Sequence, residues 1–312
     1  MKSKFEAKCI SLFNLNSILS FFFTVSCLFT YAHAADSINN EAFTGAIISN
    51  DLKLNQVSSV KSKKENLIPG IKKFSFDLDL SVDQNLRTDS DPSKDANLSL
   101  TFAPSYQLFS KARLISEIHT NQHLNSDYLT ELANTTLGLS FIPIALSQNN
   151  NLQLTVKSIL PTNENDRIKN SFDGALNAAA GLNNKASLFS KLSNTTISIS
   201  ALKNMHEFER TADGEANLST KLSYSILFIQ ALSQIFSAEL YAKYNTGWTY
   251  QNDLKTSFSI SEKLNLDIKK NISTYIQHSN DGNALQTNGS DSNIQIYDKN
   301  KSVMSAGLVI TY

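Results

Sequence analysis

From Phe74 onward the chain alternates. Phe74, Phe76, Leu78, Leu80 and Val82 are apolar, while Ser75, Asp77, Asp79, Ser81 and Asp83 between them are polar. A period of two marks a β-strand with unlike faces. The pattern recurs with Leu98, Leu100, Phe102 and Tyr106 against Asn97, Ser99, Thr101 and Ser105, and with Ala112, Leu114 and Ile118 against Arg113, Glu117 and His119. It continues with Leu137, Leu139 and Phe141 against Asn134, Thr136 and Ser140, then Leu152, Leu154 and Val156 against Gln153, Thr155 and Lys157. A sixth run, 172–184, sets Phe172, Leu176 and Leu182 against Asp173, Asn177 and Asn183. Further runs centre on Ile197–Ile199, Leu218–Phe228, Phe236–Tyr244, Leu254–Ile260, Leu264–Ile276 and Ser302–Tyr312, which predicts about twelve strands.

A half-buried strand in a soluble sandwich explains such alternation, and so does a strand between lipid and a watery lumen. The connections separate the two. Alternate ones are polar and mostly long, at Gln84–Asp95, Asn121–Thr130, Pro161–Ser171, His206–Gly214 and Ser279–Lys301, with Thr246–Gln251 a short exception. Those between are tight, at Leu108–Ser110, Ser147–Asn150, Ala231–Gln234 and Ser261–Lys263, with Asn184–Leu192 the misfit. Long loops on one side and short turns on the other are the habit of a transmembrane antiparallel up-and-down β-barrel. A sandwich has no reason to sort its loops this way. The fold expected is therefore all-β, a barrel of about twelve strands over 73–312. Aromatic residues near strand ends, among them Tyr106, Phe109, Phe141, Phe236, Trp248 and Tyr312, suit the two headgroup girdles of such a barrel.

The N-terminus sets the compartment. Lys2, Lys4 and Lys8 precede an apolar run from about Ile18 to Tyr31, and Ala32-His33-Ala34 is a small-x-small cleavage site. Residues 1–34 read as a cleaved signal peptide, followed by a polar periplasmic extension, 35–72. Both cysteines, Cys9 and Cys27, fall inside the signal, so the mature chain carries no thiol. Charge is balanced in the full chain, and removal of the signal's three Lys and one Glu leaves a net charge of −2. That balance gives no argument for nucleic acid as a partner. Beyond the signal no apolar run is long enough for a spanning helix. If the chain crosses a membrane, it does so as strands.

The final stretch, "SVMSAGLVITY", places Met304, Ala306, Leu308, Ile310 and Tyr312 on one face and ends on an aromatic. It resembles the terminal strand of Gram-negative outer-membrane β-barrel proteins of the porin-like kind. The resemblance implies an outer-membrane location, and it implies that Leu308, Ile310 and Tyr312 form the signal read by the barrel-assembly machinery. Outer-membrane lipid would be the other partner.

The polar parity gathers Asp77, Asp79, Arg113, Glu117, His119, Lys157, Lys221, Glu239, Lys243, Lys255, Asp267 and Lys269 as lumen-lining candidates. Both signs are present in similar number. Such groups either pair across a narrow lumen or line a water-filled path. The function expected is a narrow channel for passive diffusion of small polar or charged solutes, and the alternative is a non-conducting barrel acting in surface binding, adhesion or structure. No enzyme, cofactor or metal is expected. Asp89-Ser90-Asp91 with His278 and Asp281 resembles the acidic and Asp/His pairs of outer-membrane aspartyl-type proteases, but that family has ten strands and carries its pairs on other loops. A turn explains Asp89–Asp91 better. The loop rich in Asp, Asn and Gly before Lys301 matches no twelve-residue calcium loop.

Overall fold

The computed structural model describes residues 74–87, 91, 94–109, 111–124, 129–188, 191–286 and 291–312. The expected signal peptide, 1–34, and polar extension, 35–72, lie outside the described residues. Twelve strands run in chain order: β1 (Phe74–Asn85), β2 (Ala96–Phe109), β3 (Ala112–His123), an interrupted β4 (Thr130–Leu132, Thr135–Phe141 and Ile144–Ala145), β5 (Asn150–Leu160) and β6 (Phe172–Leu188). They continue as β7 (Lys191–His206), β8 (Leu218–Ala231), β9 (Phe236–Thr249), β10 (Leu254–Lys269), β11 (Ile272–Asn283) and β12 (Val303–Thr311). A short helix, α1 (Glu164–Lys169), interrupts the β5–β6 connection, with the Asn163 side chain accepting from Asp166 N at its start.

Each strand pairs antiparallel with its sequence neighbours, and β1 pairs with β12 as well as β2. The sheet therefore closes on itself as a transmembrane antiparallel β-barrel. Closure removes both sheet edges, so backbone groups within the wall find partners without water. Burial is inverted relative to a soluble core. Exposed large side chains include Leu80, Leu100, Leu137, Val156, Ile197, Leu240, Leu264 and Leu308, and the buried set is dominated by Ser, Thr, Asn and Lys. Because the sheet is closed, the alternating buried polar set faces inward and the exposed apolar set forms the outer belt.

The long connections share one end of the barrel, at 86–95, 124–129, 161–171, 207–217 and 284–302, with 250–253 the short one among them. The other end carries tight turns at 110–111, 146–149, 189–190, 232–235 and 270–271. Two expected boundaries move. The Asn184–Leu192 misfit disappears, because β6 runs on to Leu188 and β7 begins at Lys191. The turn expected at Ser261–Lys263 is instead continuous strand, since β10 runs unbroken to Lys269 and the chain reverses at 270–271.

A third correction concerns facing. The β6–β7 register shifts between Phe172 and Gly174, so Phe172 and Leu176 do not share a face. Gly174 has φ 142°, a conformation that residues with a Cβ rarely adopt. The irregularity turns Phe172 inward, where it packs with Ile159, Ala175 and Leu202 as a small buried apolar cluster near the long-loop end.

At the short-turn end the outer faces of β1, β2 and β12 meet in aromatic contacts. Phe76 stacks on Tyr312 at 5.4 Å and lies 5.7 Å from Phe102. Leu285 and Ser292 form an isolated antiparallel bridge.

Candidate functional site

The inner wall is best followed along cross-strand register rows, because directly opposed residues point to the same side of a sheet. One row runs Lys157, Asn177, Leu202, Lys221, Gly247 and Lys255 across β5 to β10. Lys157 and Lys221 are buried. A neighbouring row runs Gln153, Gly181, Ser198, Ser225, Lys243, Ser259 and Asp281. Lys243 is only 3% exposed and is opposed by a serine on either side. In a third row Glu239 stands opposite Lys263, which stands opposite Gln277, then Ser305 and Asp83.

Three further acids share one strand. Asp77, Asp79 and Asp83 all come from β1, and a row carries Asp267, Ser273, Val309, Asp79, Thr101 and His119. Thr101 Oγ1 is 2.7 Å from His119 Nδ1, and Ser99 Oγ is 2.5 Å from Asp83 Oδ2. Arg113 and Glu117 lie on β3, with Glu117 opposite Thr136 and buried. β1 thus carries carboxylates alone, β5 and β8 carry lysines, and β3, β9 and β10 carry both signs. Of the twelve candidates, eleven occupy the inward parity of their strands. Lys269 follows a register shift after Asp267 and is exposed at the strand end, so it does not join them.

Sequence reading missed a linkage at the seam. Tyr275 on β11 donates its hydroxyl to Asp79 on β1, at 3.0 Å from Oδ1 and 3.2 Å from Oδ2. Its ring crosses β12 above Gly307, where a Cβ would lie 2.5 Å from the ring. Lys263 Nζ sits 4.0 Å from the centroid of the same ring. The inner wall therefore carries a cation, ring and carboxylate sequence from β10 to β1. A glycine in the last strand is its only primary-structure trace.

The groups weighed for proteolysis do not assemble. His278 lies on the outward parity of β11 and Asp281 on the inward one, and His278 Nδ1 is 2.9 Å from Glu262 Oε2. Asp89 and Ser90 lie outside the described residues. Among the described residues, no cluster of three or more His, Cys, Asp or Glu side chains is placed to hold a metal ion.

At the long-loop end, α1 is tied down from both sides. Asp166 accepts from Asn134 Nδ2 at 2.6 Å and from Asn170 Nδ2 at 2.9 Å, and Asn217 Nδ2 reaches Asn170 O and Phe208 O at 2.9 Å. Burial raises the Asp166 carboxyl above its ordinary value, and the two asparagine hydrogen bonds oppose that rise. A shallow cavity of about 430 Å³ opens between the two loops, lined by residues that include Arg167, Phe208 and Arg210.

No protein-family model matches the chain, and no curated protein sequence is similar to it. Solved structures are similar in fold. An outer membrane channel from Pseudomonas putida F1 superimposes with a TM-score of 0.52 at 13% identity, covering 79% of this chain and all of that one. The NanC porin gives 0.48 at 10% identity, over 76% and 98% of the two chains, and the KdgM porin 0.42 at 8% identity, over 76% and 99%.

Proposed function

We propose that this chain is an outer-membrane channel with a narrow lumen that passes small polar or charged solutes by passive diffusion. The observation that carries this reading is the inner wall itself: a closed barrel whose inward parity holds Asp79, Arg113, Glu117, Lys157, Lys221, Glu239 and Lys243 beneath an apolar outer belt. Fixed charges of both signs along a water-accessible path concentrate counter-charged solutes and set ion selectivity. Acids alone on β1, lysines on β5 and β8 and both signs on β3, β9 and β10 give passing solutes a mixed-charge lining. The outer membrane is the compartment to which the leader 1–34 sends such a barrel, and the outward face of Leu308, Ile310 and Tyr312 is where the assembly machinery would read it.

Burial of Glu117, Lys157, Lys221 and Lys243 favours a narrow bore and also supports the second reading, a barrel filled at that level. Planar-bilayer recording on refolded 35–312 separates the two. A channel gives discrete current steps, and Lys243→Glu moves the reversal potential in a salt gradient towards cation preference. A folded, silent barrel would overturn the channel reading and direct attention to the loops.

A further inference from the structure

The outer wall carries an acidic residue well inside a strand. It is Glu262, near the middle of β10, in the parity of Phe258, Ile260, Leu264, Leu266 and Ile268. Its cross-strand partner is His278, whose Nδ1 approaches Glu262 Oε2 to 2.9 Å. A carboxylate facing hydrocarbon is costly, and a hydrogen-bonded imidazole offsets only part of that cost.

The imidazole is held in turn by the last loop. Residues 294–301 lie against the outward face of β11. The Asn280 side chain donates to Gln295 O at 2.7 Å, the Tyr297 ring stacks over His278 at 6.1 Å and 27°, and Lys301 Nζ lies 3.3 Å from the position a Cβ on Gly282 would take. His278, Asn280 and Gly282 are consecutive outward positions. Phe258, also outward, is only 3% exposed, unlike the neighbouring belt residue Leu264. At His278, Asn280 and Gly282 this wall is covered by protein, while the Glu262 side chain beside them stays 40% exposed.

The covering segment is itself greasy. Ile294, Ile296 and Tyr297 are 45%, 63% and 57% exposed, and the wall beside them continues in exposed Ile276 and Leu264. Charge returns at Asp298, Lys299 and Lys301, where the chain turns back into β12 through Asp298 N donating to Ser302 Oγ. From these contacts we infer that residues 294–297 form a strap embedded in the outer leaflet: Ile294, Ile296 and Tyr297 contact lipid acyl chains, and the underside covers His278 and Asn280 of β11. The occupant of the exposed face is lipid because that face is continuous with the barrel's own apolar belt. The inference rests on the transmembrane reading of the barrel.

The chain's single tryptophan, Trp248, lies on the outward parity of β9 and serves as the control. Refolded 35–312 and a Trp248→Phe, Tyr297→Trp variant are placed in phosphatidylcholine vesicles with and without acyl-chain bromination. Folding is checked by heat-modifiable migration. Bromine is expected to cut the emission of both proteins at least twofold, while aqueous iodide leaves the Tyr297→Trp reporter nearly unchanged. Quenching of Trp248 by bromine, with the reporter quenched only by iodide, overturns the strap and leaves the barrel intact. A reporter shielded from both quenchers means that protein, such as a second copy, covers the strap, and this also overturns it. Bromine quenching of neither protein removes the transmembrane reading itself.

Discussion

Two stretches of the same outer wall obey different rules. Around the seam, β1, β2 and β12 present Phe76, Leu78, Leu80, Val82, Leu100, Phe102, Met304, Leu308 and Ile310 outward, with no ionisable group among them. On the adjoining side of β12, strands β11 and β10 present His278, Asn280 and Glu262. On the proposed transmembrane reading the seam wall touches lipid directly, whereas the β11 part of the second wall lies under residues 294–301. Apolarity is thus demanded of whatever surface meets hydrocarbon, and a strand relieved of that contact regains freedom of composition.

Moving a charge onto the seam should break the comparison most severely. Leu80→Arg, at the centre of β1, is expected to cost about 2–4 kcal/mol, because nothing covers that position. Urea titration of vesicle-inserted protein, followed by the heat-modified band, reads the loss directly. A cost near zero would mean that the seam is not lipid-facing.

The next test acts beneath the strap. His278→Ala removes the hydrogen-bonded partner of Glu262 and should destabilise by about 1–3 kcal/mol. Adding Glu262→Leu to that variant should restore most of the loss, since an apolar pair of similar shape needs no partner. Failure of the second change to rescue the first would assign the His278 effect to its stacking with Tyr297 instead. The smallest effect sharpens the inner side of the seam: Tyr275→Phe gives up the hydroxyl bond to Asp79 and should lower the urea midpoint by the equivalent of about 1–2 kcal/mol. An unchanged midpoint would reduce Tyr275 to packing alone.

The same contrast explains what could be read from the residues. Strands whose outward parity touches lipid, such as Phe74–Asn85, announce themselves, because a period of two survives only where both environments are enforced. Glu262 broke that parity, and the break reads as a turn at Ser261–Lys263. It is instead continuous strand whose outward carboxylate is bonded to His278, a residue of the next strand that the sequence pattern does not pair with it. At Phe172, alternation was intact but the register shift beside Gly174 reversed the facing, and glycine alone does not locate such a shift. The inward charges were legible strand by strand. Which charges stand opposite one another, as Glu239 and Lys263 do, depends on which strands become neighbours in the closed wall and in what register, information that no single strand carries. Tyr275 was invisible as a site residue because its acceptor lies two strands away.

That reach across Gly307 gives the seam a further property. Tyr275 belongs to β11 and Asp79 to β1, and each is adjacent to β12 but not to the other. Their bond is a logical conjunction: it requires the eleventh strand in place, the twelfth bare at Gly307 and in register, and the first strand returned to meet them. A chain that pairs its last strand one residue out of step presents Ala306 or Leu308 beneath the ring and gets no bond at all, so a single hydroxyl distinguishes the completed circle from its near misses.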